Sequence, residues 1–89
     1  MTRYRSEKYL WSVRGKPCLI CQQEGEAHHV TYAEPNGMGL KVGDNWVVPM
    51  CHAHHMELHG FGDEELWWAL QGVDPLEVAR TMYEEYTNG

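Results

Sequence analysis

All nine cysteines and histidines of the chain fall between Cys18 and His59, in metal-ligand order. Cys18 and Cys21 form C-x-x-C, His28 and His29 are adjacent, and residues 51–59 read Cys-His-Ala-His-His-Met-Glu-Leu-His. Histidines that only solvate a surface scatter along a chain, so this grouping points to metal. Cys18/Cys21 and Cys51/His54 each have x-x spacing, which lets a turn aim two side chains at one ion at about 2.0–2.3 Å. His52 competes with His54 for the fourth position, and spacing favours His54. The expectation is one structural Zn2+ on Cys18, Cys21, Cys51 and His54. His28, His29, His55 and His59 remain for a second task.

A chain of 89 residues has room for one core. Its single domain, residues 1–89, divides into the motif at 18–59 and a helical extension at 63–87. So short a chain buries little apolar surface, and a metal is a common supplement. Three cysteines cannot all pair with one another, no segment reads as a signal peptide, and no apolar run is long enough to cross a bilayer. These features lead us to expect a reduced, cytoplasmic protein with no membrane partner.

The formal charge is −6, unevenly spread. Residues 1–16 carry Arg3, Arg5, Lys8, Arg14 and Lys16 against Glu7, a balance of +4, and the remainder carries −10. An acidic body argues against tight non-specific binding to nucleic acid, while a basic arm can still reach phosphate.

Ser6 is expected to cap a helix running to about Arg14, ended by Gly15 and Pro17. Residues 27–32 and 45–50 read as short strands, separated by a Gly- and Pro-rich loop over 34–44. A helix is expected from Cys51 to about His59, stopped by Gly60 and Gly62. Asp63 caps another to Gln71, and Asp74-Pro75 opens a third, with Leu76, Val78, Ala79, Met82, Tyr83 and Tyr86 as its core face. Trp67 and Trp68 have two candidate uses, base stacking or packing on the metal-site body.

On the central helix, His55 and His59 are i and i+4, so their imidazoles share a face and can share an ion. His52 lies near that face as an outer group. Adjacent strand residues point to opposite faces, so His28 and His29 differ in role unless the strand bulges. Histidines converging from strand and helix can hold a divalent ion and leave one neutral imidazole to activate water. The ion would then neutralise charge on a scissile phosphate.

The succession C-x-x-C, His-His-Val, Val48-Pro49-Met50-Cys51, then C-x-x-H-His and a further His, resembles the HNH nucleases of the His-Me finger (ββα-metal) superfamily. It is most similar to small HNH-like proteins of phages and prophages, a group related to a RecA-dependent phage nuclease. Gly39-Leu40-Lys41-Val42-Gly43-Asp44, Trp67-Trp68 and Asp74-Pro75 fit the same pattern, which covers most of the chain from about Ser6.

The resemblance implies a small zinc-stabilised ββα-metal domain of α+β class with flanking N- and C-terminal helices. By position, His29 corresponds to the general base, His28 and His55 to ligands of a catalytic divalent ion such as Mg2+ or Mn2+, and His59 to an accessory ligand. His54 stands where many members have a fourth Cys. The middle Asn of the motif usually lies five residues before the Cys, where this chain has Trp46. Asn45 serves if a bulge restores it, Asp44 takes its place, or the orienting contact is missing.

The expected function is metal-dependent hydrolysis of DNA phosphodiester bonds in a bacterial host, with Arg3, Arg5, Lys8 or Lys41 holding flanking phosphates. The alternative is a weakly active or inactive zinc-binding adaptor of nucleic acid or of a phage or host recombination or replication protein. A third reading is a structural zinc subunit of a larger assembly.

Overall fold

The computed structural model describes residues 4–34 and 42–89. Arg3, Gly39, Leu40 and Lys41 lie outside that range. The chain forms α1 (Glu7–Val13), β1 (Glu26–His29), β2 (Val47–Met50), α2 (His52–Phe61), α3 (Glu64–Gln71) and α4 (Pro75–Asn88), a small α+β arrangement. No described helix is long and apolar enough to cross a membrane.

The helix ends follow from local chemistry. The Ser6 hydroxyl accepts from Tyr9 N, Asp63 from Leu66 N, and Asp74 from Leu76 N and Glu77 N, so each satisfies backbone donors that a first turn leaves unpaired. Gly62 closes α2 in the left-handed region at φ 92°. Gly60, expected as a stop, lies within α2, where nothing crowds its position.

β1 and β2 pair antiparallel with His28 opposite Val48 and His29 opposite Val47. Paired residues share a face, so the hairpin has two distinct sides. Val48 and Met50 join Cys18, Cys51, Leu58, Trp67, Trp68 and Ala79 in one core cluster. On the other side Val47 packs with Tyr9 and Val13 of α1, and Ala27, Met82, Tyr83 and Tyr86 close around them. β2 is accordingly buried along its whole length.

Both strands are shorter than expected. After β1, Val30 N still bonds Trp46 O at 2.9 Å, but Ala33 N turns back onto Val30 O. Asn45 sits in a turn closed by Trp46 N and Gly43 O at 3.1 Å, not in β2. Trp67 and Trp68 are both buried, their rings edge-on at 5.0 Å, which leaves neither to stack on a base.

Candidate metal centres

The turn Pro17–Cys21 and the N-terminus of α2 meet beside the hairpin. Cys18 N bonds Gln23 O and Gln22 N bonds Cys18 O, folding the first pair into a tight turn with Gln22 at φ 68°. Leu19 N bonds Pro49 O at 3.2 Å, docking that turn on β2. Gly25 is required where the turn enters β1, because a Cβ there would lie 2.8 Å from Lys16 O and 2.9 Å from Pro49 Cβ.

Cys18, Cys21, Cys51 and His54 bring their ligand atoms within 4.8 Å of one another, so the four can hold a metal ion. Cys21 Sγ is 3.5 Å from Cys51 Sγ, and His54 Nδ1 is 3.2 Å from Cys51 Sγ and 4.0 Å from Cys18 Sγ. A tetrahedron with metal–sulfur bonds of about 2.3 Å spaces its sulfurs about 3.8 Å apart, close to these values. Ile20 N and His54 N donate to Cys18 and Cys51 sulfur, each at 3.4 Å. Burial pushes the Cys18 thiol up, but the backbone donors of Cys51, Cys21 and Ile20 outweigh it and bring the pKa down to about 6. Such donors favour the thiolate, the form that ligates metal. His52 points away to Glu26 at 3.3 Å and stays exposed, so the competition for the fourth position resolves to His54.

The second cluster, His28, His55 and His59, also brings one ring nitrogen from each within 4.8 Å of the others. Ring centroids are 4.8 Å apart for His28 and His55, and 4.7 Å for His55 and His59. Strand alternation separates the adjacent histidines as expected. His28, 3% exposed, faces this cluster, and half-buried His29 faces the other side.

Carboxylates stand behind three of these rings. His28 Nε2 lies 2.8 Å from Glu64 Oε2, and His55 Nδ1 lies 2.9 Å from Glu26 Oε1. A carboxylate accepts the proton of the nitrogen it faces, which leaves Nδ1 of His28 and Nε2 of His55 to face an ion. Glu64 also accepts from Trp68 Nε1 at 3.0 Å and from the Thr31 amide and hydroxyl. Burial raises its pKa, but the bonds from His28, Thr31 and Trp68 prevail and hold it at about 2. The His55 bond likewise lowers the Glu26 carboxyl.

The third pair is His29 Nε2 on Asp44 Oδ1 at 2.8 Å. Asp44 is buried and accepts from Ser6 N at 2.8 Å and from Arg5 at 3.4 Å. Burial opposes its ionisation, and the His29 and Ser6 bonds with the charges of His29 and Arg5 overcome that and lower its pKa. Of Asp44 and Asn45, it is Asp44 that contacts His29. Asn45 instead folds its Oδ1 over Gly43, 2.6 Å from where a Cβ would stand.

Arg5 binds Val42 O at 2.7 Å as well as Asp44, so the basic segment is partly built into the fold. Lys8 stands exposed on α1.

Sequence reasoning missed Glu26 and Glu64. Glu26 had a signal, since Glu-x-His on a strand places both side chains on one face. Glu64 had none, because α3 brings it to His28 from 36 residues away.

A two-stranded hairpin flanked by helices, carrying one sulfur-rich and one all-imidazole cluster, defines a small α+β domain with two candidate metal centres. The chain belongs to the family described as "Protein of unknown function (DUF968)", whose model matches residues 1–89. It is also similar to "Uncharacterized protein YdfU" of Escherichia coli (strain K12), 40% identical over 58 residues. That match covers 64% of this chain and 17% of the relative, so the chain spans a minor part of that protein's length. No solved structure matches.

Proposed function

We propose that the domain is a zinc-stabilised ββα-metal endonuclease of HNH type that hydrolyses DNA phosphodiester bonds. The observation that carries this reading sits on two adjacent residues of β1. His29 is a carboxylate-held imidazole, 2.8 Å from Asp44, and its neighbour His28 belongs to a three-histidine cluster.

Three thiols and one imidazole, with backbone donors on two sulfurs, fit a structural Zn2+. His28, His55 and His59 would hold the divalent ion. An all-imidazole set suits first-row transition ions better than Mg2+, so Mn2+, Co2+ or Ni2+ should support the reaction ahead of Mg2+. When bound, that ion supplies charge neutralisation at the phosphate and at the departing 3′ oxygen. Glu64 and Glu26 keep His28 and His55 in the required tautomers. With its Nε2 proton on Asp44, His29 presents Nδ1 to take a proton from water, and the carboxylate stabilises the imidazolium that results. Lys8 and the basic N-terminal residues would hold flanking phosphates. Thiols kept for zinc fit a reducing compartment, the bacterial cytoplasm.

The test is incubation of purified protein with supercoiled plasmid and with single-stranded DNA, under each ion or chelator. The parent should cut. His29→Ala should fold, keep its zinc and cut about 10²–10⁴-fold more slowly. A parent that cuts neither DNA under any ion contradicts the reading.

The balance of −10 over residues 17–89 favours a second reading, a zinc-binding adaptor of a recombination or replication protein. That adaptor would hold one ion per chain and leave DNA intact.

A further inference from the structure

Among the described residues, Trp11 is the most exposed of the large apolar side chains, at 68%. It projects from α1, whose inner face is filled by Tyr9 and Val13. The Arg14 guanidinium lies over its ring, 5.0 Å from the centroid. Lys8 and Trp11 are i and i+3 on α1, and Arg14, its extended C-cap residue, folds back over the ring.

Arg14 is also one wall of a groove of about 520 Å³. Residues 24–27 and His55 of the three-histidine cluster also line it. Arg14, which stacks on Trp11, therefore shares this groove with His55, while Trp11 itself stands outside its lining. Glu24 and Glu26 line it as well, so a neutral base suits the part of the groove away from a bound ion better than a phosphate does. Lys8 lies on α1 and Arg14 is its C-cap residue, so both cations available to a phosphate here come from that helix.

We propose that Trp11 and Arg14 form a stacking platform for an unpaired DNA base, next to the scissile phosphate at the three-histidine cluster. The domain then acts on DNA with a single-stranded segment, such as a flap, gap or branch, in preference to blunt duplex. This inference rests on the nuclease reading for the position of the scissile bond. A tryptophan face accepts any base, so the platform reads strandedness and not sequence. Arg14 adds a cation–π contact and a second planar surface.

Binding is tested separately from cutting, with full-length protein, no added divalent ion, and a labelled oligothymidine and a blunt duplex. The parent should bind the single strand more tightly than the duplex. Trp11→Ala should weaken single-strand binding by about 5- to 150-fold, the range expected for loss of one base–aromatic stack. Its duplex affinity and salt slope should stay unchanged, because no phosphate contact is removed. Trp11→Phe should recover much of the loss, and retained zinc would show that the fold is intact.

A Trp11→Ala protein with the parent's single-strand affinity overturns the platform, as does a parent that binds neither DNA. Loss of self-association with unchanged DNA binding would make Trp11 a protein contact and also overturn it. A parent that binds through Trp11 but cuts nothing would sink the nuclease reading and leave the platform standing. Cutting with Trp11-independent binding would do the reverse.

Discussion

The two clusters share α2, which supplies Cys51 as N-cap and His54 to one, and His55 and His59 to the other. Yet they differ in every property that decides what a metal centre does. The first is sulfur-rich, with Cys18 and Cys51 buried and backbone N–H groups on both sulfurs. The second is all nitrogen, backed by Glu26 and Glu64, with His59 exposed and His55 lining a groove. A complete tetrahedral set leaves no position for a substrate, whereas three imidazoles leave room for water or phosphate. Two consecutive residues of one helix, His54 and His55, thus belong to clusters of different chemical character.

The strongest way to break this contrast is to remove a ligand from the first cluster. Cys21→Ser should leave an unfolded or aggregated product, because metal binding in small zinc domains contributes about 10 kcal/mol or more to folding. Circular dichroism and metal analysis check this. A folded, zinc-free Cys21→Ser protein with the parent's Tm would remove the structural role.

Asp44→Asn sharpens the other half. An amide cannot stabilise the imidazolium of His29 as a carboxylate does, so cutting should slow by about 10–100-fold, typical for outer-shell partners. Zinc content and binding at the three-histidine cluster should be unaffected. Unchanged cutting would mean that Asp44 only ties down Ser6 and Arg5.

The smallest effect concerns the far side of the hairpin, away from both clusters. Tyr9 is 1% exposed, and its hydroxyl has no hydrogen-bond partner among the described residues. Burial, with Tyr4, Tyr83 and Tyr86 nearby, pushes its pKa up to about 12. The raised value means its contribution is fully present below about pH 10, the unfolded value, and is lost as pH rises through about 12. Tyr9→Phe should leave stability at pH 7 unchanged or raise it by up to about 1 kcal/mol. It should also flatten the fall between pH 10 and 12. Denaturant melts across that range measure both, and a clear loss at pH 7 would mean that the hydroxyl is satisfied.

Much of this was legible because it is local. Ser6, Asp63 and Asp74 capped the helices where their side chains suggested, and x-x spacing separated His54 from His52. Strand alternation places His28 and His29 on opposite faces from the sequence alone. The carboxylate partners were harder, because Glu64 reaches His28 only after α3 folds back across the hairpin. Asn45 fell in a turn because Trp46 N returns to Gly43 O, a closure that β-propensity at Trp46-Val47-Val48 concealed. Trp11 carried no signal of its own, since three-residue spacing with Lys8 and Arg14 is also that of a solvated helix face.

The central claim is that two metal centres of different kinds share one short helix, and a metal count tests it most directly. Purified protein, treated with a mild chelator to strip the open three-histidine cluster, should retain one zinc per chain through extensive dialysis. Titration with Mn2+ or Ni2+ should then load one further ion in the parent and none in His55→Ala, with the zinc undisturbed. A parent that takes up no second ion, or a His55→Ala protein that binds it as well as the parent, would contradict the account.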